Sequence, residues 1–180
     1  EVIESLHPPP NLEVLKIKYY RGSRLSSWMM MSGSTEPPTS LFRNLVKLEL
    51  FCLSRCEGLP SFGQLPSLKF LRIDGMRRIG GEEFYGQPAE VGGGGRDYSS
   101  CFPVLEYLWL WDMSNLEEWV VEAGEIERER MFPSLTKLSI ARCPKLTRIQ
   151  PGLPVSIADL IIEGSHDATK EELLPAGSLA

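Results

Sequence analysis

Residues 44–50, Asn-Leu-Val-Lys-Leu-Glu-Leu, and residues 67–73, Ser-Leu-Lys-Phe-Leu-Arg-Ile, carry one apolar triplet twice, Leu45/Leu48/Leu50 and Leu68/Leu71/Ile73, offset by 23 residues. A pattern L-x-x-L-x-L returning at a period of roughly 20–29 residues marks a repeat in which each copy contributes one short strand of a parallel sheet. Side chains on a strand alternate between faces, so Leu48 and Leu50 point inward together while Lys47, Glu49 and Phe51 point outward. One such strand cannot bury its apolar side alone. Stacking the next copy closes the core, which makes the array the folding unit.

The same triplet recurs as Leu12/Leu15/Ile17, Leu105/Leu108/Leu110, Leu135/Leu138/Ile140 and, more weakly, Ile157/Leu160/Ile162, six copies in all, at intervals of 33, 23, 37, 30 and 22 residues. Four copies open with Pro10-Asn11, Pro66-Ser67, Pro103-Val104 or Pro133-Ser134. The strand motif is constant and the returns vary. This predicts an α/β leucine-rich-repeat solenoid over residues 1–164, with a curved parallel sheet of about six short strands on its concave face, an irregular convex side, and a polar tail or partial cap at 165–180.

Composition agrees with a water-soluble fold: 180 residues, 42% hydrophobic and 24% charged, with net charge −5, which argues against a nucleic-acid binder. No apolar run approaches the ~20 residues of a membrane span, and no secretory leader opens the chain. The first residue is Glu1, which fits a piece of a larger chain. Cys52, Cys56, Cys101 and Cys143 are too few and too scattered for a disulfide framework, and no N-x-S/T acceptor occurs; both facts suit a reducing interior.

Between the strands, Glu1–Leu6 reads as the end of a helix stopped by three prolines, Trp28 to Met31 as the buried part of a long return, and Gly33–Ser40 as an exposed excursion. Leu59, Phe62 and Leu65 should close the bottom and back of the core. The glycines at 92–95 predict a mobile loop over Gln87–Ser100, and the charge run 122–130 a solvated helical turn or loop. Three residues past the last triplet member, where such repeats place Asn or Cys, the chain reads Tyr20, Leu53, Met76, Met113, Cys143 and Ser165, which predicts irregular turns without a polar ladder.

Catalytic and metal constellations are missing from the pattern. His7 and His166 lie near opposite ends of the chain, so no nucleophile–base pair forms. Cys52 and Cys56 would need two more nearby zinc ligands, and Glu82-Glu83 and Glu117-Glu118 would diverge on a strand. Gly92 to Arg96 lacks the Gly-Lys-Ser/Thr ending of a phosphate loop. The outward strand positions form three rows: Val14, Lys47, Phe70, Tyr107, Lys137, Asp159; Lys16, Glu49, Arg72, Trp109, Ser139, Ile161; and Lys18, Phe51, Asp74, Trp111, Ala141, Glu163. Aromatic and Arg side chains carry most binding energy at interfaces, so Phe51, Phe70, Arg72, Tyr107, Trp109 and Trp111 are the candidate partner-binding residues. The alternative is that a return loop buries these rings within the chain.

Several stretches resemble the C-terminal repeats of plant intracellular immune receptors of the nucleotide-binding, leucine-rich-repeat kind, in the coiled-coil branch of the resistance-gene-analogue type. They are Pro10-Asn11-Leu12-Glu13-Val14-Leu15, Tyr20-Arg21-Gly22 ahead of Trp28-Met29, Cys56-Glu57-Gly58-Leu59-Pro60 running into Phe62-Gly63-Gln64-Leu65-Pro66-Ser67-Leu68, and Gly75-Met76 leading to Ile79-Gly80 and Glu83-Phe84-Tyr85-Gly86. The resemblance covers about residues 10–164. It departs where Leu25-Ser26 stand in place of Phe-Pro, and where Cys52 falls one position early. It implies a cytoplasmic sensor and autoinhibitory region in plant defence, with no catalysis. The implied partner is a pathogen effector, a guarded host protein or the receptor's own nucleotide-binding domain. No cofactor is expected in this segment, since ADP or ATP would bind only an upstream domain. A leucine-rich-repeat substrate adaptor of a ubiquitin ligase is the competing reading, and the segment upstream in the full gene discriminates the two.

Overall fold

The computed structural model describes residues 3–6, 8–30, 42–80, 84–86, 89–91, 95–97, 101–120, 131–150 and 153–164. Each leucine triplet delivers a five-residue strand: β1 (Val14–Lys18), β2 (Lys47–Phe51), β3 (Phe70–Asp74), β6 (Tyr107–Trp111), β8 (Lys137–Ala141) and β10 (Asp159–Glu163). They form one parallel sheet in that order. Its register aligns Leu15, Leu48, Leu71, Leu108, Leu138 and Leu160 in one row and Ile17, Leu50, Ile73, Leu110, Ile140 and Ile162 in the next. From Leu48 to Ile140 these side chains are completely buried, whereas Leu15, Leu160 and Ile162 at the two outer strands are half-buried.

The entries to five of the six strands are built the same way. The amide of Leu105 donates to Phe102 O and that of Leu135 to Phe132 O, closing turns with Pro103 and Pro133 inside them; Leu12 to Pro9 repeats this with Pro10. Proline suits the first inner position of such a turn because its ring presets φ near −65°. One carbonyl then takes two amides of the next repeat, as Glu106 O does from Thr136 and Lys137 at 3.1 and 3.0 Å.

The exits from the strands correct the expectation of irregular turns. Tyr19, Cys52, Gly75, Asp112, Arg142 and Gly164, each directly after its strand, all have φ between 51° and 76°. In this left-handed region the chain bends inward, and the amides of Tyr19, Gly75, Asp112 and Arg142 donate to Phe51 O, Trp111 O, Ala141 O and Glu163 O at 2.8–3.0 Å. Main-chain hydrogen bonds thus do the work of a polar side-chain ladder. Leu53, Met76, Met113 and Cys143 fill the interior behind them.

The returns carry little regular structure, as expected. Among the described residues they include one four-residue helix, α1 (Ser27–Met30), a 3-10 turn at Phe62–Gln64, and β7 (Glu118–Val120) paired parallel with β9 (Arg148–Gln150). Met29, Leu59, Phe62 and Leu65 are buried and Trp28 is half-buried. Ile3–Ser5 form a turn closed by the Leu6 amide on Ile3 O, not the end of a helix. Within the segment assigned to a mobile loop, β4 (Ala89–Val91) pairs antiparallel with β5 (Gly95–Asp97), because inter-strand hydrogen bonds offset the ordering entropy of the glycine-rich sequence. The expectations for 33–40, 122–130, Met31, Glu82-Glu83, His7, His166 and 165–180 fall outside the described residues.

An aromatic cluster closes the back of the middle repeats. Phe84 and Tyr85 pack with Phe102, Phe102 stacks on Phe132 at 5.2 Å between centroids, and Trp119 meets Phe132 edge-on. Gly63 lets this cluster close: a Cβ there would run into the carbonyl oxygen of Tyr85, and Gly63 O accepts the Phe102 amide at 2.5 Å.

Candidate protein-interaction face

The outward face of the six-stranded sheet holds the three rows read from the sequence, in that register. Phe70 on β3 lies beside Tyr107 on β6, Arg72 beside Trp109, and Asp74 beside Trp111. Alternation puts Tyr107, Trp109 and Trp111 outward because Leu108 and Leu110 are taken by the core. Phe51, Phe70, Arg72, Tyr107, Trp109 and Trp111 are all half-buried. Part of their cover comes from one another: Phe70 and Trp109 meet edge-on at 5.8 Å, and Phe70 and Tyr107 are tilted at 6.1 Å. The small Ser139 and Ala141, paired in register with Trp109 and Trp111, are buried beside these indoles.

Cations lie over the ring faces. The Arg72 guanidinium sits 4.6, 5.2 and 5.6 Å from the ring centroids of Phe51, Trp109 and Trp111. Lys47 Nζ lies 4.3 Å from Phe70, Lys18 5.1 Å from Phe51 and Lys137 5.4 Å from Tyr107. Such contacts are worth about 0.5–2 kcal/mol each according to desolvation, and they fix the long side chains over the rings. The signal for these contacts lies in the rows as cross-strand neighbours, Lys47 beside Phe70 and Lys137 beside Tyr107.

The carboxylates of this face lie low. Glu49 is 6% exposed and takes Lys16 at 2.6 Å and Lys47 at 3.4 Å. Burial works to raise its pKa, but the Lys16 hydrogen bond and the two lysine charges outweigh it, so Glu49 titrates below its ordinary value. Asp74 is 8% exposed, and Arg72 reaches it only at 3.8 Å. Burial first, and the nearby Asp112 charge, push its pKa up against the pull of Arg72.

Two other features fit a ligand site less well. A cleft of about 840 Å³ on the return side is lined by the buried Leu59, Ile79, Phe84 and Leu116 and by Glu57, Arg77, Arg78, Glu117 and Glu118, whose charged side chains are all exposed. The thiols of Cys56 and Cys143 are pushed up by burial, and Cys52 stands at an exposed strand exit. Among the described residues there is no cluster of three or more metal-ligating side chains, and no helix is long and apolar enough to cross a membrane.

Aligned leucine triplets, left-handed strand exits and an exposed sheet face define the class: the chain is a leucine-rich-repeat protein. Residues 1–76 match the family model for R13L1/DRL21 leucine-rich repeats. Over most of its length the chain is similar to plant disease resistance proteins. It is 35% identical over 90% of its residues to disease resistance RPP13-like protein 1 of Arabidopsis thaliana. Against disease resistance proteins RGA1 and RGA2 of Solanum bulbocastanum it is 32% and 29% identical over 80% and 82% of its residues. The chain spans 12–14% of the length of these curated relatives. No solved structure matches.

Proposed function

We propose that residues 1–164 act as the sensing and autoinhibitory leucine-rich-repeat domain of a plant innate immune receptor. In this reading the outward face of the sheet docks a protein in the cytoplasm: a pathogen effector, a guarded host protein or the receptor's own nucleotide-binding domain. It performs no catalysis and takes no cofactor. The observation that carries the reading is the continuous patch of Phe51, Phe70, Arg72, Tyr107, Trp109 and Trp111, half-exposed over three adjacent repeats rather than sealed in the core. Large rings and an arginine on a rigid sheet bind a partner at low entropic cost. Similarity to disease resistance proteins supplies the biological setting.

The test is a full-length receptor carrying Trp109→Ala with Trp111→Ala, assayed for immune signalling with and without its elicitor. Docking on this face predicts either signalling without elicitor or failure to respond to it. Normal behaviour in both assays, at equal protein level, overturns the reading.

A further inference from the structure

The chemistry of the partner is written in what already covers the rings. The four centroid-to-cation distances of 4.3–5.4 Å at Phe70, Phe51, Trp109 and Tyr107 show that this chain's own Lys47, Arg72 and Lys137 occupy the negative ring faces. A cation from a partner would find those faces taken and would meet like charge. The cations themselves keep donors to spare. Two lysines, Lys16 and Lys47, share the single carboxylate of Glu49, Lys18 is exposed, and Lys137, also exposed, has one loose ion pair, with the exposed Asp159 at 3.6 Å. From β1 to β8 the outward carboxylates are Glu49 and Asp74, both buried beneath the cations. Outward acids reach the surface at β10, with Asp159 and Glu163. The upper layer of the face is therefore positive on a chain whose net charge is −5.

We infer that the partner presents an acidic segment of protein chain, laid across β2 to β8, whose carboxylates flank apolar side chains. This rests on the reading of the outward face as the docking surface. The spacing follows from the register. Lys47 and Lys137 occupy the same row, separated by the positions of Phe70 and Tyr107. Three strand steps of about 4.8 Å put them roughly 14 Å apart, which an extended chain spans in about four residues. A carboxylate at each end meets Lys47 and Lys137, and the apolar residues between them lie on Phe70 and Tyr107.

The probe is the capped peptide Glu-Leu-Phe-Leu-Glu, compared with versions carrying Gln or Lys at both ends, titrated onto the 180-residue chain by calorimetry. The acidic peptide should bind at least about tenfold more tightly than the Gln version, and the preference should vanish near 1 M salt, where the Debye length falls to about 3 Å. Lys137→Gln should remove most of that preference, and Trp109→Ala should weaken all binding. No binding by the acidic peptide at millimolar concentration, or equal binding by the Gln or Lys version, overturns the inference. So does equal competition by a single-stranded oligonucleotide, which would mark a general anion surface. If the acidic preference is absent while Trp109→Ala still alters receptor signalling, the docking face stands and only the charge assignment falls. Acid-selective binding untouched by Trp109→Ala overturns both.

Discussion

The indole N–H of Trp119 donates to the hydroxyl of Tyr85 at 2.6 Å, tying the return that follows β6 to the one that follows β3. Both groups are buried, and the Tyr85 carbonyl also accepts the Cys101 thiol at 3.2 Å. Tyr85→Phe keeps the ring packing but strands a buried indole donor, which costs about 1–3 kcal/mol. A urea melt should show that loss; a change below about 0.5 kcal/mol would mean that another acceptor replaces the hydroxyl.

Gly63 and Gly75 are needed for different reasons, and alanine should separate them. At Gly63 the new methyl collides with the Tyr85 backbone, so Gly63→Ala should cost about 1–3 kcal/mol through forced displacement of the aromatic cluster. Gly75 has φ 76°, and an added Cβ would approach Cys52 Cα at 3.3 Å. Gly75→Ala should cost about 1–2 kcal/mol, chiefly as left-handed backbone strain. Equal stability of either variant with the parent in a thermal melt would contradict the geometry.

Leu71 and Leu138 are fully enclosed between neighbouring repeats. Leu71→Ala or Leu138→Ala should destabilise by about 2–5 kcal/mol through lost burial and a residual cavity. A loss under about 1 kcal/mol in denaturant would show that the core can collapse around the gap.

Glu49 and Asp74 give opposite pH dependences. Glu49 has a lowered pKa in the fold, so its stabilisation is present above its unfolded value and is lost as pH falls through the folded one. Asp74 has a raised pKa, so the fold binds its proton more tightly; that contribution is present at low pH and is lost as pH rises through the raised value. Glu49→Gln should therefore destabilise by roughly 1 kcal/mol at neutral pH and little near pH 3. Asp74→Asn should compare more favourably with the parent at neutral pH than near pH 3. Melts of both variants across that range check the two signs.

The strands and their register were legible because apolar spacing on a strand leaves no choice of face: Leu48 and Leu50 must turn in, which sends Glu49 out. The candidate face followed by alternation alone. The strand exits were not legible in the side chains at Leu53 and Met76, because the bend is made one position earlier by the backbone of Cys52 and Gly75. The β4–β5 hairpin was hidden by composition, since glycine-rich sequence reads as loop whether or not it pairs. Cation placement depends on rotamers across strands, so Arg72 over three rings could be suspected from the rows but not fixed by them.

The most direct test of the docking face sets Trp109→Ala beside Leu108→Ala in one chain, measuring denaturant stability and partner binding on the same samples. Trp109 is half-buried on the outward face and Leu108 is fully enclosed, though the two are adjacent in β6. The account predicts that Trp109→Ala weakens binding by about 2 kcal/mol or more while changing stability by less than about 1 kcal/mol, and that Leu108→Ala unfolds the domain by about 2–5 kcal/mol. If Trp109→Ala destabilises the fold as badly as Leu108→Ala, the ring is a core residue and the docking face is wrongly assigned.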